Sequence, residues 1–128
     1  MNVRVQNIAA LVGRLMLAAI FIFAGASKIM NFSATTSYMA KAGMPMVDLF
    51  GLGAIFVELG GGLLLVAGWK TRWVAAVIFV FLIPVTLVFH SPGEGQGQMI
   101  HFMKNLSIMG GMLVLFAFGP GRFSLDRK

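Results

Sequence analysis

Four long apolar runs, three of them carrying a charge inside, limit what this chain can become. They extend from Ile8 to Ile29, from about Met46 to Gly68, from Trp73 to Phe89, and from about Met99 to Phe118. Each has about the 17–25 residues that an α-helix needs to cross a hydrocarbon core. Arg14, Glu58 and Lys104 sit inside the first, second and fourth runs, and Lys28 closes the first. An ionised side chain costs about 2.5–3.5 kcal/mol at the bilayer centre even on lenient insertion scales. Such residues pair with one another, face a cavity, or reach out to the interface.

The expected fold is therefore all-α: an antiparallel four-helix transmembrane bundle. Only 11% of the 128 residues are charged, against about 25% in a soluble domain. Four spans and their connections use the whole length, so residues 1–128 are read as a single membrane domain. The small-residue stretch Ala24-Gly25-Ala26 also fits a signal-cleavage site. The run around it is long for a signal peptide and carries Arg14, so it is read as a retained span. Between spans 1 and 2, Ser33 to Ala42 reads as a short outer-side helix, with Ser33 as N-cap and Gly43 as its stop.

A net charge of +6 does not point to nucleic acid, because the basic residues flank apolar runs instead of forming one face. They fit the positive-inside bias instead. Arg4, Lys70, Arg72, Arg122, Arg127 and Lys128 fall on one side, with Lys28 and Lys41 on the other. This places both termini in the cytoplasm. Trp69 and Trp73, flanking the turn between spans 2 and 3, suit an interfacial aromatic belt.

At 1.5 Å of rise per residue, Glu58 falls between Arg14 and Lys104 in depth, about 6 Å from each. The expected buried polar site is Arg14, Glu58, Lys104 and Asn105, with Lys28, His90 and His101 at its rim. Helical phase agrees. Arg14, Ala18, Phe21, Gly25 and Lys28 share one stripe. Gly61 and Gly62 share the face of Glu58, and Gly111 that of Lys104. Gly25, Gly61, Gly62 and Gly111 are the glycines expected to let backbones approach closely. The alternatives are that the charges only lock helix register, or that Lys28 and Arg14 snorkel to the two interfaces.

Other chemistry finds little footing. There is no cysteine, so thiolate chemistry and disulfides are excluded. His90, Glu94 and His101 match no standard metal spacing, and the scattered methionines read as packing material instead of copper ligands. No metal is expected. Glu58 is the only acid inside a span, which excludes two-carboxylate catalysis there.

Several short motifs occur in a fixed order. Gly13-Arg14 precedes Phe21-Ile-Phe-Ala-Gly25-Ala-Ser-Lys28. Tyr38 and Gly43-Met-Pro45 follow, then Glu58-Leu-Gly-Gly-Gly62 with Gly68, Arg72 and His90. Phe102-Met-Lys104-Asn105, Gly110-Gly111 and Gly119-Pro-Gly-Arg-Phe-Ser124-Leu-Asp126 close the chain. Together they resemble the DoxX family of small four-helix bacterial inner-membrane proteins. The resemblance implies an inner-membrane location and a link to quinol or thiosulfate:quinone redox systems, or to complexes that manage oxidative stress. It makes a quinone the candidate cofactor, with Lys104, Asn105 and His101 offering hydrogen bonds. The implied role is a redox-associated accessory subunit, not a complete enzyme. Its partners are the lipid bilayer and a membrane or periplasmic redox protein or further copies of the chain, with no nucleic acid. A transporter of an anion or weak acid, or a non-catalytic scaffold, are the alternatives.

Overall fold

The computed structural model describes residues 1–89 and 96–126. His90 and Glu94 fall outside them, and with them the His90 part of the expected rim. Helix α1 covers Val3–Met30, α2 Phe32–Lys41, α3 Val47–Ile55, α4 Gly61–Ala67, α5 Thr71–Phe89 and α6 Gln96–Phe118. A π-helical turn, Phe56–Gly60, joins α3 to α4, so α3, the turn and α4 make one continuous span. Among the described residues, four helices are long and apolar enough to cross a membrane, and the protein is embedded in the bilayer.

The expected spans are thus found, with small shifts at their ends. α1 begins five residues before the apolar run because Asn2 caps it, its Oδ1 accepting from the Arg4 amide at 2.7 Å. Hydropathy marks the lipid-buried part of a helix, and the helix itself continues past it. α2 starts at Phe32 after Asn31, not after Ser33. Ser33 lies in its first turn, where its carbonyl accepts from Thr36 Oγ1. The stop is as expected: Gly43 takes φ +86°, a conformation that costs glycine little.

Packing follows the predicted stripes. Arg14, Ala18, Phe21 and Gly25 are the buried residues of α1. Ala18 and Phe21 join Leu65, Ala75, Ile78 and Met112 in the hydrophobic core. The first two spans approach to backbone contact. A Cβ at Gly62 would lie 2.6 Å from Ile22 Cγ1 and 3.1 Å from its amide nitrogen; one at Gly25 would lie 2.8 Å from the Leu59 nitrogen. Gly61 meets Ile78 of α5, and Gly111 of α6 meets Leu17 of α1. All four glycines singled out for close packing sit at helix crossings. Because the obstacle at Gly25 is backbone, Gly25→Ala should cost about 1–3 kcal/mol by overpacking, read as a lowered unfolding midpoint in detergent. Gly110→Ala, which meets nothing within 4 Å, should leave that midpoint unchanged.

α6 packs chiefly on α5, where Asn105 Nδ2 donates to Thr86 Oγ1 at 3.1 Å. Its contact with α1 is slight, and the α1 and α5 backbones stay apart, their core side chains sharing one cluster. That gap positions the site.

A candidate ligand cavity and a separate arginine staple

The charged residues do not gather in one cluster; they divide between the two ends of the bundle. Arg14, 2% exposed, turns to the end that carries the termini. Its Nε donates to the Leu65 carbonyl at 2.6 Å and its Nη1 to that of Pro120 at 2.6 Å. Its Nη2 donates to the carbonyls of Phe123, at 2.7 Å, and Val66, at 3.4 Å. Leu65 and Val66 belong to the last turn of α4, where carbonyls lack i+4 donors, the Leu65 carbonyl also accepting from the Gly68 amide at 3.2 Å, and where the dipole favours a cation. The other two acceptors belong to the segment after α6, which Gly119 and Gly121, both at φ +82°, turn back across the helix ends. That segment is tied down further. Leu125 and Asp126 amides donate to Ala67 and Gly68 carbonyls, and the Asp126 carboxylate accepts from the Lys70 and Thr71 amides at 2.8 Å each. An acid from the far end of the chain therefore caps α5.

Glu58 lies near the opposite end. Its partner is Lys28: Nζ stands 2.8 Å from Oε1. Glu58 is 7% exposed, and Lys28 keeps 28% of its side chain open. The expected Arg14–Glu58–Lys104 set is thus corrected to a Lys28–Glu58 pair, with Arg14 bonded to backbone carbonyls. Lys104 is exposed on α6 and has no ion-pair partner among the described residues. Asn105 is engaged with Thr86, and His101 is exposed.

The pair lines a cavity of about 860 Å³ bounded by α1, α2, α3, the π turn and α5. Such a volume lies within the range of small-molecule sites. Phe23, Phe50, Phe81 and Phe89 give it aromatic walls, and Met39 and Met44 close its upper part. Tyr38 of α2 stacks on Phe89 of α5, with centroids 5.3 Å apart and planes at 24°, which holds α2 across the end of the cavity. Polar residues are few: Ser27, Lys28, Thr35, Tyr38 and Glu58.

The π turn explains how Glu58 comes to face this space. An i→i+5 turn inserts a residue's worth of rotation into a helix, and such turns recur at functional sites. Here it centres on Glu58, so α3 and α4 each keep their own packing face while the carboxylate points between them. Among the described residues, Lys28 Nζ is the one cation set against Oε1, and no other donor reaches that oxygen. One ammonium does not exhaust the acceptor positions of a carboxylate, so capacity is left for a donor in the cavity.

Comparison with known proteins fits this architecture. The sequence model of the DoxX family matches residues 9–91. The chain belongs to the DoxX family. It is 38% identical to inner membrane protein YqjF of Escherichia coli, over 97% of this chain and 94% of that protein. Inner membrane protein YphA of the same organism is 37% identical over 92% of this chain and 88% of its own length. The SURF4 family model also matches residues 59–128. A Surfeit locus protein 4 homolog of Schizosaccharomyces pombe is 35% identical over 51% of this chain but 24% of that protein. No solved structure gives a significant match.

Proposed function

We propose that this DoxX protein is an inner-membrane, quinone-interacting accessory subunit of a redox system, and that the Lys28–Glu58 pair holds the quinone head. The observation that carries this reading is one ion pair, its carboxylate buried, on the wall of an aromatic-lined apolar cavity. A pair with no net charge suits a neutral ring. The Lys28 ammonium has donors for a ring carbonyl, and the Glu58 carboxylate accepts from a ring hydroxyl in the reduced form. The apolar walls exclude water and strengthen both contacts. The absence of cysteine from the sequence and the single acid buried within its spans, Glu58, leave electron transfer to a partner, hence an accessory role.

The location follows the names of the E. coli relatives. Its orientation follows the basic residues: Arg4, Lys70, Arg72 and Arg122 lie at the end of the bundle that carries the termini, which is placed in the cytoplasm. The cavity then lies toward the periplasmic side, beneath α2.

Purified protein titrated with a prenyl-tailed quinone should show saturable binding. Glu58→Gln should weaken it at least about thirtyfold, the least expected when one partner of a buried charged contact is removed. No saturable binding by the wild-type protein would remove the quinone reading.

A further inference from the structure

We infer that the cavity opens sideways into the bilayer, between α1 and the α5–α6 pair, so that its ligand is a tailed amphiphile arriving from the membrane. The inference rests on the cavity being a ligand site and adds the route and the ligand's shape. One stripe of α1 runs through Leu17, Ile20, Ala24 and Ser27. Leu17 is packed against Gly111 of α6. One turn further, Ile20, and then Ala24 and Ser27, line the cavity instead, and no residue of α6 does. α6 therefore meets α1 low in the bundle and leaves it above.

Lys104 records the same separation. It stands seven residues before Gly111, on the same face and about 10 Å higher along α6, level with Ala24. Yet it is exposed, where a closed bundle would have covered it with α1. The α1 and α5 backbones also stay apart, and no described helix lies between them on that side. The residues on the two edges of the gap are apolar and open: Ile20 and Phe23 on α1, 47% and 75% exposed, and Val88 on α5, 45% exposed. At this depth their surroundings are acyl chains, not water.

The polar pair stands within the height of this opening. Leu59 packs against Gly25, which places Glu58 about 6 Å below the end of α1, and Lys28 is about one turn above Ala24 and two above Ile20. A head group on Lys28 and Glu58 would send its tail sideways, past Ile20 and Phe23 of α1 into the lipid. That geometry suits a single-tailed amphiphile with a compact head bearing both a donor and an acceptor.

The route can be tested without any ligand. Trp69→Phe and Trp73→Phe remove the native indoles, and Phe81→Trp places one on the far wall of the cavity. In bilayers of lipid brominated along the acyl chain, position 81 should lose fluorescence to about the extent of a lipid-facing control, Val80→Trp, while aqueous iodide quenches it weakly. Ala24→Leu, which narrows the gap from the α1 side, should reduce the loss from bromolipid. Quenching by iodide in preference to bromolipid, or by neither, would overturn the lateral route. Val85→Trp on the same wall serves if the first variant does not fold. Lipid quenching at position 81 together with no quinone binding by the wild type would keep the route and remove only the quinone reading.

Discussion

Arg14→Ala should be the most destabilising single substitution on the terminal side of the bundle, costing about 4 kcal/mol or more. Hydrogen bonds to a charged donor contribute about 1.5–3 kcal/mol each, and three of the four here are 2.6 or 2.7 Å long. They are not additive, and the sum is held well below three full contributions for that reason. Against a total stability of about 5–15 kcal/mol, the loss is severe. The signature should be local as well as global. With the guanidinium gone, the Pro120 and Phe123 carbonyls lose their anchor, so the Asp126 cap on α5 loosens with them. Limited proteolysis should cut after Arg122 faster than in the wild type, and the unfolding midpoint in detergent should fall. Arg14→Lys should rescue only part of this, because an ammonium cannot fork toward acceptors on two separate segments. An unchanged midpoint and unchanged cleavage in Arg14→Ala would show that the staple contributes nothing.

Much of the scaffold was legible from periodicity. The buried stripe of α1 and the close-packing glycines follow from helical phase and side-chain size alone, and both are where the pattern put them. The partners of Arg14 were not legible, because a backbone carbonyl has no sequence signature. A search among charged side chains offers Glu58 and never the turned-back segment after Gly119. The depth estimate also misled in one respect. It set the spans side by side at equal height, whereas the Gly25–Leu59 contact brings Glu58 within reach of Lys28. Lys28 was assigned to the rim or the interface for its place near a helix end. Lys104 lies on the face its phase indicates, but sequence carries no signal that α6 parts from α1 there. Nor does any propensity announce the π turn at Phe56–Gly60.

The Lys28–Glu58 pair offers the sharpest separation between a site and a mere structural lock. Lys28→Ala strands a buried carboxylate, and breaking a buried pair from one side typically costs about 3–5 kcal/mol. The lower figure is expected, because Lys28 keeps 28% of its side chain open and water reaches part of the pair. Removing both charges is a different matter. A double variant, Lys28→Met with Glu58→Leu, fills the same space with apolar groups and leaves nothing uncompensated. Such replacements are often neutral or stabilising by about 1–4 kcal/mol. Its unfolding midpoint should therefore return to the wild-type value or exceed it. A binding site predicts that the double variant stays unable to bind quinone even though it is as stable as the wild type. A register lock predicts the opposite arrangement: stability that fails to recover, because the bundle has lost what aligned its first two spans. Measured side by side, thermal unfolding and quinone titration of the two single variants and the double variant decide between the two. A stable double variant that still binds with wild-type affinity would take the head-group role away from this pair.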